Sequence, residues 1–515
     1  MRTRWLSAVL LLALTSAAPV LRAEGEAGRE VDWLAACPPA AAGALEPLVA
    51  ARRAEGLRCE VLRLEEGAGR EAARARVLER VRAAQPRFLL LVGDVDAIPE
   101  FVVAEAITDR PYGDLDGDGL PDVSVGRIPT ADPAALGRVV EHLLAYEREA
   151  PSGPWRKECA LLAGEGGFGA AADAAIEQVF TRAVADAIHP GYDIELLWAN
   201  PRSPYCYPPE QLGEYVAGRM DRGALFMAWV GHGQVQSVDQ LTVTKPDGTR
   251  CDYPILDLSR VPDLRTVRAP VFVAIACYTG RYAAEETSIG EALLLSGQGP
   301  VAFLGSSEVS HPLCNGLLGL ALVDELLSGV GPARLGPALD RARIQLVRPK
   351  QQGGLWGMAL NLGRMADPNL NLEREMPRHV DMYNLLGDPA TRLQRPAEEV
   401  ALDAPGLLHG GRTVTVSGRV PAGFPGLTVT LEAPRDRRLG PGPAEEPMRL
   451  RFARANDRVL ATSLIRADPD GRFSGPLRVP PHARGTLHLK AFACEGTRAA
   501  MGALVVTARS EHGAR

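Results

Sequence analysis

The chain has 515 residues, 46% of them hydrophobic and 23% charged, with a formal net charge of −6. At roughly 100–200 residues per domain this length suggests two to four domains, and the composition is that of a globular protein with a sizeable core. The mild negative charge and the absence of a basic run argue against a nucleic-acid partner.

Arg2 and Arg4 precede the apolar run Trp5 to Leu14, and the small residues Ser16, Ala17, Ala18 and Ala23 follow it. The run is too short to span a bilayer and has the flanks of an export signal. Residues 1–23 are therefore expected to direct secretion or delivery to the periplasm or cell surface. No later stretch approaches the ~20 uninterrupted apolar residues of a spanning helix, so no integral membrane segment is expected after signal removal.

From about residue 31 to 395, short apolar runs alternate with longer amphipathic stretches. DWLAAC (32–37), CEVLRL (59–64), FLLLVG (88–93), CALLAG (159–164), ALFMAWV (224–230), VFVAIAC (271–277) and VAFLG (301–305) read as buried strands. Ala42 to Ala54 and Glu71 to Ala84 read as helices between them. Strand, helix, strand at this spacing predicts an α/β fold with a mostly parallel sheet covered on both faces. After about residue 396 the pattern changes. RTVTVSGRV (412–420), LTVTLEA (427–433), TLHLKAFAC (486–494) and ALVVTA (503–508) alternate apolar and polar residues, with Gly- and Pro-rich turns and no convincing helix between them. That is the pattern of a small β-sandwich, joined through an acidic, Pro-containing linker near residues 395–405. The expected division is a signal at 1–23, α/β subdomains at 30–150 and 151–395, and a β-sandwich at 400–510.

The eight cysteines (37, 59, 159, 206, 251, 277, 314 and 494) are scattered without a CxxC pair, which argues against zinc and against a dense disulfide framework. The sequence leaves open which of them pair.

DLDGDGLPD places carboxylates at Asp114, Asp116, Asp118 and Asp122, with glycines for a tight turn. Acids at positions 1, 3 and 5 are how a short loop wraps a hard cation, and calcium in a structural role is expected. The loop lacks the EF-hand glutamate, having Val125 at position 12. An acidic solvated turn is the alternative.

In open α/β sheets, ligands sit at the carboxyl ends of strands. ALFMAWV runs into Gly231-His232-Gly233, and VFVAIA runs into Cys277-Tyr278-Thr279-Gly280. If the strands are neighbours, both side chains project over one rim as a nucleophile–base pair. A thiol is readily ionised beside an imidazolium, and an imidazole exchanges protons near neutrality. The N–H groups of Gly233 and Cys277 would form the oxyanion hole, where one donor is worth about 3 kcal/mol. A structural cysteine and a simple tight turn are the plainer readings of each half alone.

GHG after one apolar strand and AC after the next resemble the clan of caspases, legumains and gingipains. LLLVGDVDAIPEF (89–101), PDVSVGRIP (121–129), LLAYERE (143–149), TSIGEALLLSGQGPVAFLGSS (287–307) and YNLLGDPATRL (383–393) resemble its gingipain branch, peptidase family C25, over roughly residues 31–395. The resemblance implies a caspase-like three-layer α/β/α sandwich in two subdomains, followed by an immunoglobulin-like β-sandwich. It also implies a secreted cysteine endopeptidase acting on protein or peptide substrates, with no cofactor needed for catalysis.

Residue by residue, His232 matches the catalytic histidine, Cys277 the nucleophile and Glu165 an acidic residue orienting the histidine. A solvated loop carboxylate is the alternative for Glu165. DAAIEQVF (173–180), aligned with a three-residue gap, would make Asp173 the base of an S1 pocket selecting Arg or Lys at P1. An aspartate on a helix surface is the alternative there. Two departures stand out. Ser310-His311-Pro312 replaces the tryptophan of Arg-specific gingipains, which leaves P1 preference open. The catalytic pattern also begins within about ten residues of the expected signal cleavage, so latency is expected to come from elsewhere than an N-terminal propeptide, or to be absent. Two further readings use the same fold: a catalytically silent surface or adhesion protein, and a peptide ligase in which an amine captures the acyl-enzyme.

Overall fold

The computed structural model describes residues 30–67, 69–149, 151–164, 170–245, 247–350, 353–437 and 446–511. The expected signal, residues 1–23, lies outside the described residues.

Among the described residues, ten short strands form one sheet. In chain order they are β1 (Trp33–Cys37), β2 (Cys59–Arg63), β3 (Phe88–Val92), β4 (Ser124–Ile128), β5 (Glu158–Ala163), β6 (Asp193–Trp198), β7 (Phe226–Val230), β8 (Val271–Ile275), β9 (Ala302–Ser306) and β10 (Tyr383–Leu386). Their spatial order is β2-β1-β3-β4-β10-β9-β8-β7-β5-β6. Every recorded neighbour pair is parallel except β9 with β10. The sheet is therefore two parallel blocks of opposite polarity that meet at one antiparallel seam. The seam aligns Ser306, at the end of β9, with Tyr383, at the start of β10. The first residue of β10 thus sits on the rim where β8 and β9 end.

The helices of this region are α1 (Ala42–Ala54), α2 (Arg70–Ala84), α3 (Pro133–Arg148), α4 (Ala170–Ala187), α5 (Leu212–Arg222), α6 (Ile289–Leu295), α7 (Pro312–Leu327), α8 (Leu335–Val347), α9 (Gly354–Ala366) and α10 (Leu372–Met382). Strand alternation divides β1 and β3 between two cores. Trp33, Ala35, Phe88 and Leu90 join Leu45 and Leu48 of α1 and Leu136 and Leu143 of α3. Leu34, Ala36, Leu89 and Leu91 join Val77 and Val81 of α2. Both faces are covered, so these runs carry no polar alternation.

The YNLLGDPATRL segment is fastened to the first strand by a buried ion network. Arg52 lies 2.7 Å from Asp388, 2.8 Å from Glu147 and 2.7 Å from Glu55, while Trp33 Nε1 donates to Asp388 at 3.0 Å. Arg52 and Asp388 are dry and Glu147 nearly so, and loss of Arg52 would leave those carboxylates uncompensated.

Beyond residue 396, a six-stranded and a three-stranded sheet enclose a separate apolar cluster that includes Val416, Val429, Phe473, Leu487 and Val506. One expectation needs correction: a helix, α11 (Met448–Asn456), interrupts this β region. Its buried Phe452 packs edge-on against Tyr207 and Tyr215, so its apolar contacts lie in the α/β body. Asn456 accepts from Leu196 N–H at 2.8 Å and donates to Leu196 O at 2.9 Å. It thereby satisfies the free side of β6, an edge strand that would otherwise offer unpaired groups. Among the described residues, no helix is long and apolar enough to cross a membrane.

Candidate functional site

β7 and β8 are parallel neighbours with Val230 opposite Ile275. Gly231 N–H donates to Ile275 O at 3.3 Å, so the two chains leave the sheet still in step. His232 and Cys277 each lie two residues beyond that pair, on one rim. The turn at His232 is fixed from below by Trp229, whose Nε1 donates to the His232 carbonyl at 2.9 Å. Gly233 then passes close to the backbone of Cys277: a Cβ there would lie 2.6 Å from the Cys277 carbonyl oxygen and 2.9 Å from Ala276 Cβ. Only glycine fits this approach. Among the described residues, neither Gly233 N–H nor Cys277 N–H has an acceptor within the protein. The His232 side is exposed and Cys277 is half-buried.

After Cys277 the chain turns sharply. Tyr278 has φ +61°, a left-handed conformation unfavourable for a bulky residue, and Arg281 N–H closes the turn on the Tyr278 carbonyl at 3.1 Å. Tyr278 N–H donates to Glu308 O at 3.3 Å and Gly280 N–H to Ser306 O at 2.8 Å, tying this turn to the end of β9. Further on, the buried Tyr282 ring carries the Arg127 guanidinium 4.8 Å from its centroid. Arg127 is itself paired with Asp109 at 2.6 Å, so the loop after Cys277 rests on the first block of the sheet.

The sulfur has its own surroundings. Ser310 N–H donates to Cys277 Sγ at 3.3 Å, and Ser310 Oγ lies 3.6 Å from it. Asn315 Nδ2 donates to Ser310 Oγ at 2.7 Å, and Tyr383 O–H donates to Asn315 Oδ1 at 2.6 Å. None of these three residues was singled out as a site residue in the sequence. Ser310 had a signal, since it lies four residues past the end of a strand on the same rim. Asn315 and Tyr383 had none, because they are 68 residues apart and meet only through the antiparallel seam.

Beside His232 opens a cleft of about 760 Å³ lined by Gln234, Ser237, Asp239, Pro254 and Leu258 among others. Asp239 is a further residue missed in the sequence. Burial pushes its carboxyl up, opposed by the Gln240 N–H and by the charge and backbone of His232. A Cβ on Gly164 would lie 2.9 Å from Asp239 Oδ2. Glu165, the next residue, lies outside the described residues, and Asp173 is a backbone position in α4 whose side chain also lies outside them.

Among the described residues, Cys37, Cys59, Cys159, Cys251, Cys277, Cys314 and Cys494 form no disulfide. Burial pushes the thiols of Cys37 and Cys59 up to about 11 and that of Cys314 up to about 12, and raises Cys159 further. In the acidic loop, the carboxylates of Asp114, Asp116 and Asp122 converge within 4.8 Å of one another. Asp118, the fourth acid of the loop, faces Arg348 at 3.0 Å and accepts from Leu120 N–H at 2.9 Å.

The fold and the rim define an α/β protein that offers a thiol and an imidazole at the ends of adjacent parallel strands. The model of peptidase family C25 matches residues 26–394, and the chain belongs to that family. Lys-gingipain of Porphyromonas gingivalis is 24% identical over 237 residues, a span of 44% of this chain but 12% of the relative's length; Lys-gingipain 381 gives the same figures. The crystal structure of the Arg-specific cysteine proteinase gingipain R (RgpB) aligns over 94% of this chain and 99% of its own, at 16% identity and a TM-score of 0.54. The complex of P. gingivalis RgpB pro- and mature domains aligns over 93% and 100%, at 16% identity and 0.55. At such identities the structural likeness establishes the fold, a mixed α/β body with a large, mostly parallel sheet.

Proposed function

We propose that this chain is a secreted cysteine endopeptidase in which Cys277 is the nucleophile and His232 the general acid and base. The supporting observation is the close passage of Gly233 over the Cys277 carbonyl, which fixes the two strand ends against each other. The thiolate attacks the peptide carbonyl carbon, and the resulting oxyanion takes hydrogen bonds from the N–H groups of Gly233 and Cys277. Collapse breaks the C–N bond while His232 protonates the departing amine, leaving a thioester on Cys277. His232 then removes a proton from water, which attacks the thioester and releases the acid and the thiol.

Glu165 is proposed to orient His232, with Asp239 as a second carboxylate on the same side. Asp173 is proposed at the base of an S1 pocket, giving preference for Arg or Lys at P1. Export follows from the N-terminal signal pattern. The 30–150 and 151–395 stretches are proposed as subdomains sharing one sheet, and the two sheets after residue 396 as an immunoglobulin-like module. Calcium is proposed in the acidic loop, where Asp114, Asp116 and Asp122 supply hard oxygen donors suited to it, although Arg110, 2.6 Å from Asp114, already offsets part of their charge.

The test is cleavage of a peptide library by the whole protein beside Cys277→Ala, with site-resolved thiol alkylation. Cleavage lost in the variant, and Cys277 alkylated faster than the other seven thiols, are the expected results. A wild type that cuts nothing, with Cys277 no more reactive than Cys251, ends the enzyme reading. Loss of Arg/Lys cleavage in Asp173→Ala is required by the S1 assignment.

A further inference from the structure

The seam between the two blocks of the sheet brings a polar chain to the nucleophile that neither block has alone. Tyr383, on β10, is fully buried, and burial pushes its phenol up, so it keeps its hydrogen and acts as a donor. It donates to Asn315 Oδ1, which turns the other end of that amide, Nδ2, towards Ser310. Ser310 Oγ accepts from Nδ2 and keeps its own hydrogen free. The sulfur of Cys277, 3.6 Å away, is an acceptor in reach, and the Tyr383 hydroxyl oxygen is another. The same residue's N–H already points at that sulfur from 3.3 Å.

The peptide that bears these donors is held independently. His311 N–H donates to His379 Nε2 at 2.8 Å, and the His379 ring is fixed in turn by Glu375 O at 2.7 Å from Nδ1. His311 also caps α7, accepting from Leu313 N–H at 3.2 Å.

Building on the assignment of Cys277 as nucleophile, we propose that Ser310 is a positioning residue for it. Its N–H and O–H both donate to the sulfur, and Asn315 and Tyr383 set the direction of the hydroxyl. Two donors aimed at one atom favour its charged form and hold it in one direction. The neutral thiol has a different partner, the Ser310 carbonyl at 3.9 Å. Ionisation therefore exchanges the long contact to that carbonyl for the Ser310 hydroxyl, with the N–H donor kept and the backbone unmoved. The arrangement places the ionised sulfur on the β9 side of the rim, leaving the His232 side open for substrate.

The experiment compares wild type, Ser310→Ala and Tyr383→Phe, each as the full chain. Alkylation of Cys277 by iodoacetamide is followed by mass spectrometry from about pH 5 to 9, alongside kcat and KM on a peptide found in the library. Ser310→Ala keeps the N–H and deletes only the hydroxyl. It is expected to shift the alkylation midpoint upward and to slow alkylation near neutral pH by about tenfold, the effect of one charge-assisted hydrogen bond. A lower kcat with KM within about twofold should accompany it, since substrate binding is untouched. Tyr383→Phe, which only frees the amide to turn, is expected to give a smaller shift in the same direction. Retention of the thermal unfolding midpoint in either variant separates this from loss of fold. A Cys277 that is reactive in wild type, with an unchanged profile in both folded variants, overturns the positioning role and leaves the nucleophile assignment standing. A wild-type Cys277 without enhanced reactivity removes both.

Discussion

Acidification is expected to loosen this protein through His379. The residue is fully buried, and its ring is held as the neutral tautomer with hydrogen on Nδ1, which donates to the Glu375 carbonyl, while Nε2 accepts from His311 N–H. A second proton on Nε2 would face that N–H at 2.8 Å. Burial accordingly lowers the imidazole from its ordinary 6.5 to about 4, with the Glu375 carbonyl and carboxylate opposing the shift and Arg378 and His311 adding to it. The unfolded chain binds a proton near 6.5 and the folded chain refuses it until about 4. The stability contributed is therefore fully present above 6.5 and is lost as pH falls through this window. The interval of roughly 2.5 pH units, at about 1.4 kcal/mol each, amounts to about 3 kcal/mol. The assay is urea unfolding at several pH values for wild type and His379→Gln. Other titrating groups, such as Asp340, whose carboxyl burial raises to about 6, are common to both proteins and cancel in the comparison. Wild type should lose about 3 kcal/mol more than the variant between about pH 7 and 4. Equal pH slopes for the two proteins would refute the argument, because the glutamine has nothing to protonate.

Three further outcomes follow from the same contacts. Gly233→Ala places a Cβ 2.6 Å from the Cys277 carbonyl, so kcat/KM should fall by about a hundredfold or more and the thermal midpoint should fall with it; wild-type activity in this variant would mean the strand ends are not in contact. Asp388→Asn leaves Arg52 with Glu147 and Glu55 but weakens its buried contact to Asp388, and should cost about 1.5–3 kcal/mol in chemical unfolding. A cost well under that range would show the network to be dispensable. If calcium fills the acidic loop at about a hundred times its Kd, chelation should remove about 2.7 kcal/mol of stability and have little effect on Asp114→Asn with Asp116→Asn; a thermal midpoint indifferent to chelator in wild type excludes the ion.

The β region after residue 396 shows where sequence pattern stops. Four of its strands are readable from alternation, but Val459–Arg466, Arg472–Arg478 and α11 are not; in α11 the start MRLRF alternates apolar and basic residues as a strand would, and the burial of Phe452 is decided by Tyr207 and Tyr215, more than 200 positions away. β6 and β10 were likewise unread. The first mixes acids into an edge strand, and the second is only four residues long. In the acidic loop the spacing suggests four ligands; that Asp118 faces Arg348, a contact 230 residues distant in sequence, is not legible in it.

The amino-acid order by itself determined the α/β class, the apolar strands, and the placement of His232 and Cys277 at the ends of two of them. Each of these depends on local periodicity and on the rule that a strand's reactive residue follows its carboxyl end. Tertiary structure alone decided that β10 runs against β9, which carries Tyr383 to the rim and completes the chain through Asn315 and Ser310 to the sulfur. Strand polarity across a seam is set by long-range packing of the two blocks, and no local pattern records it.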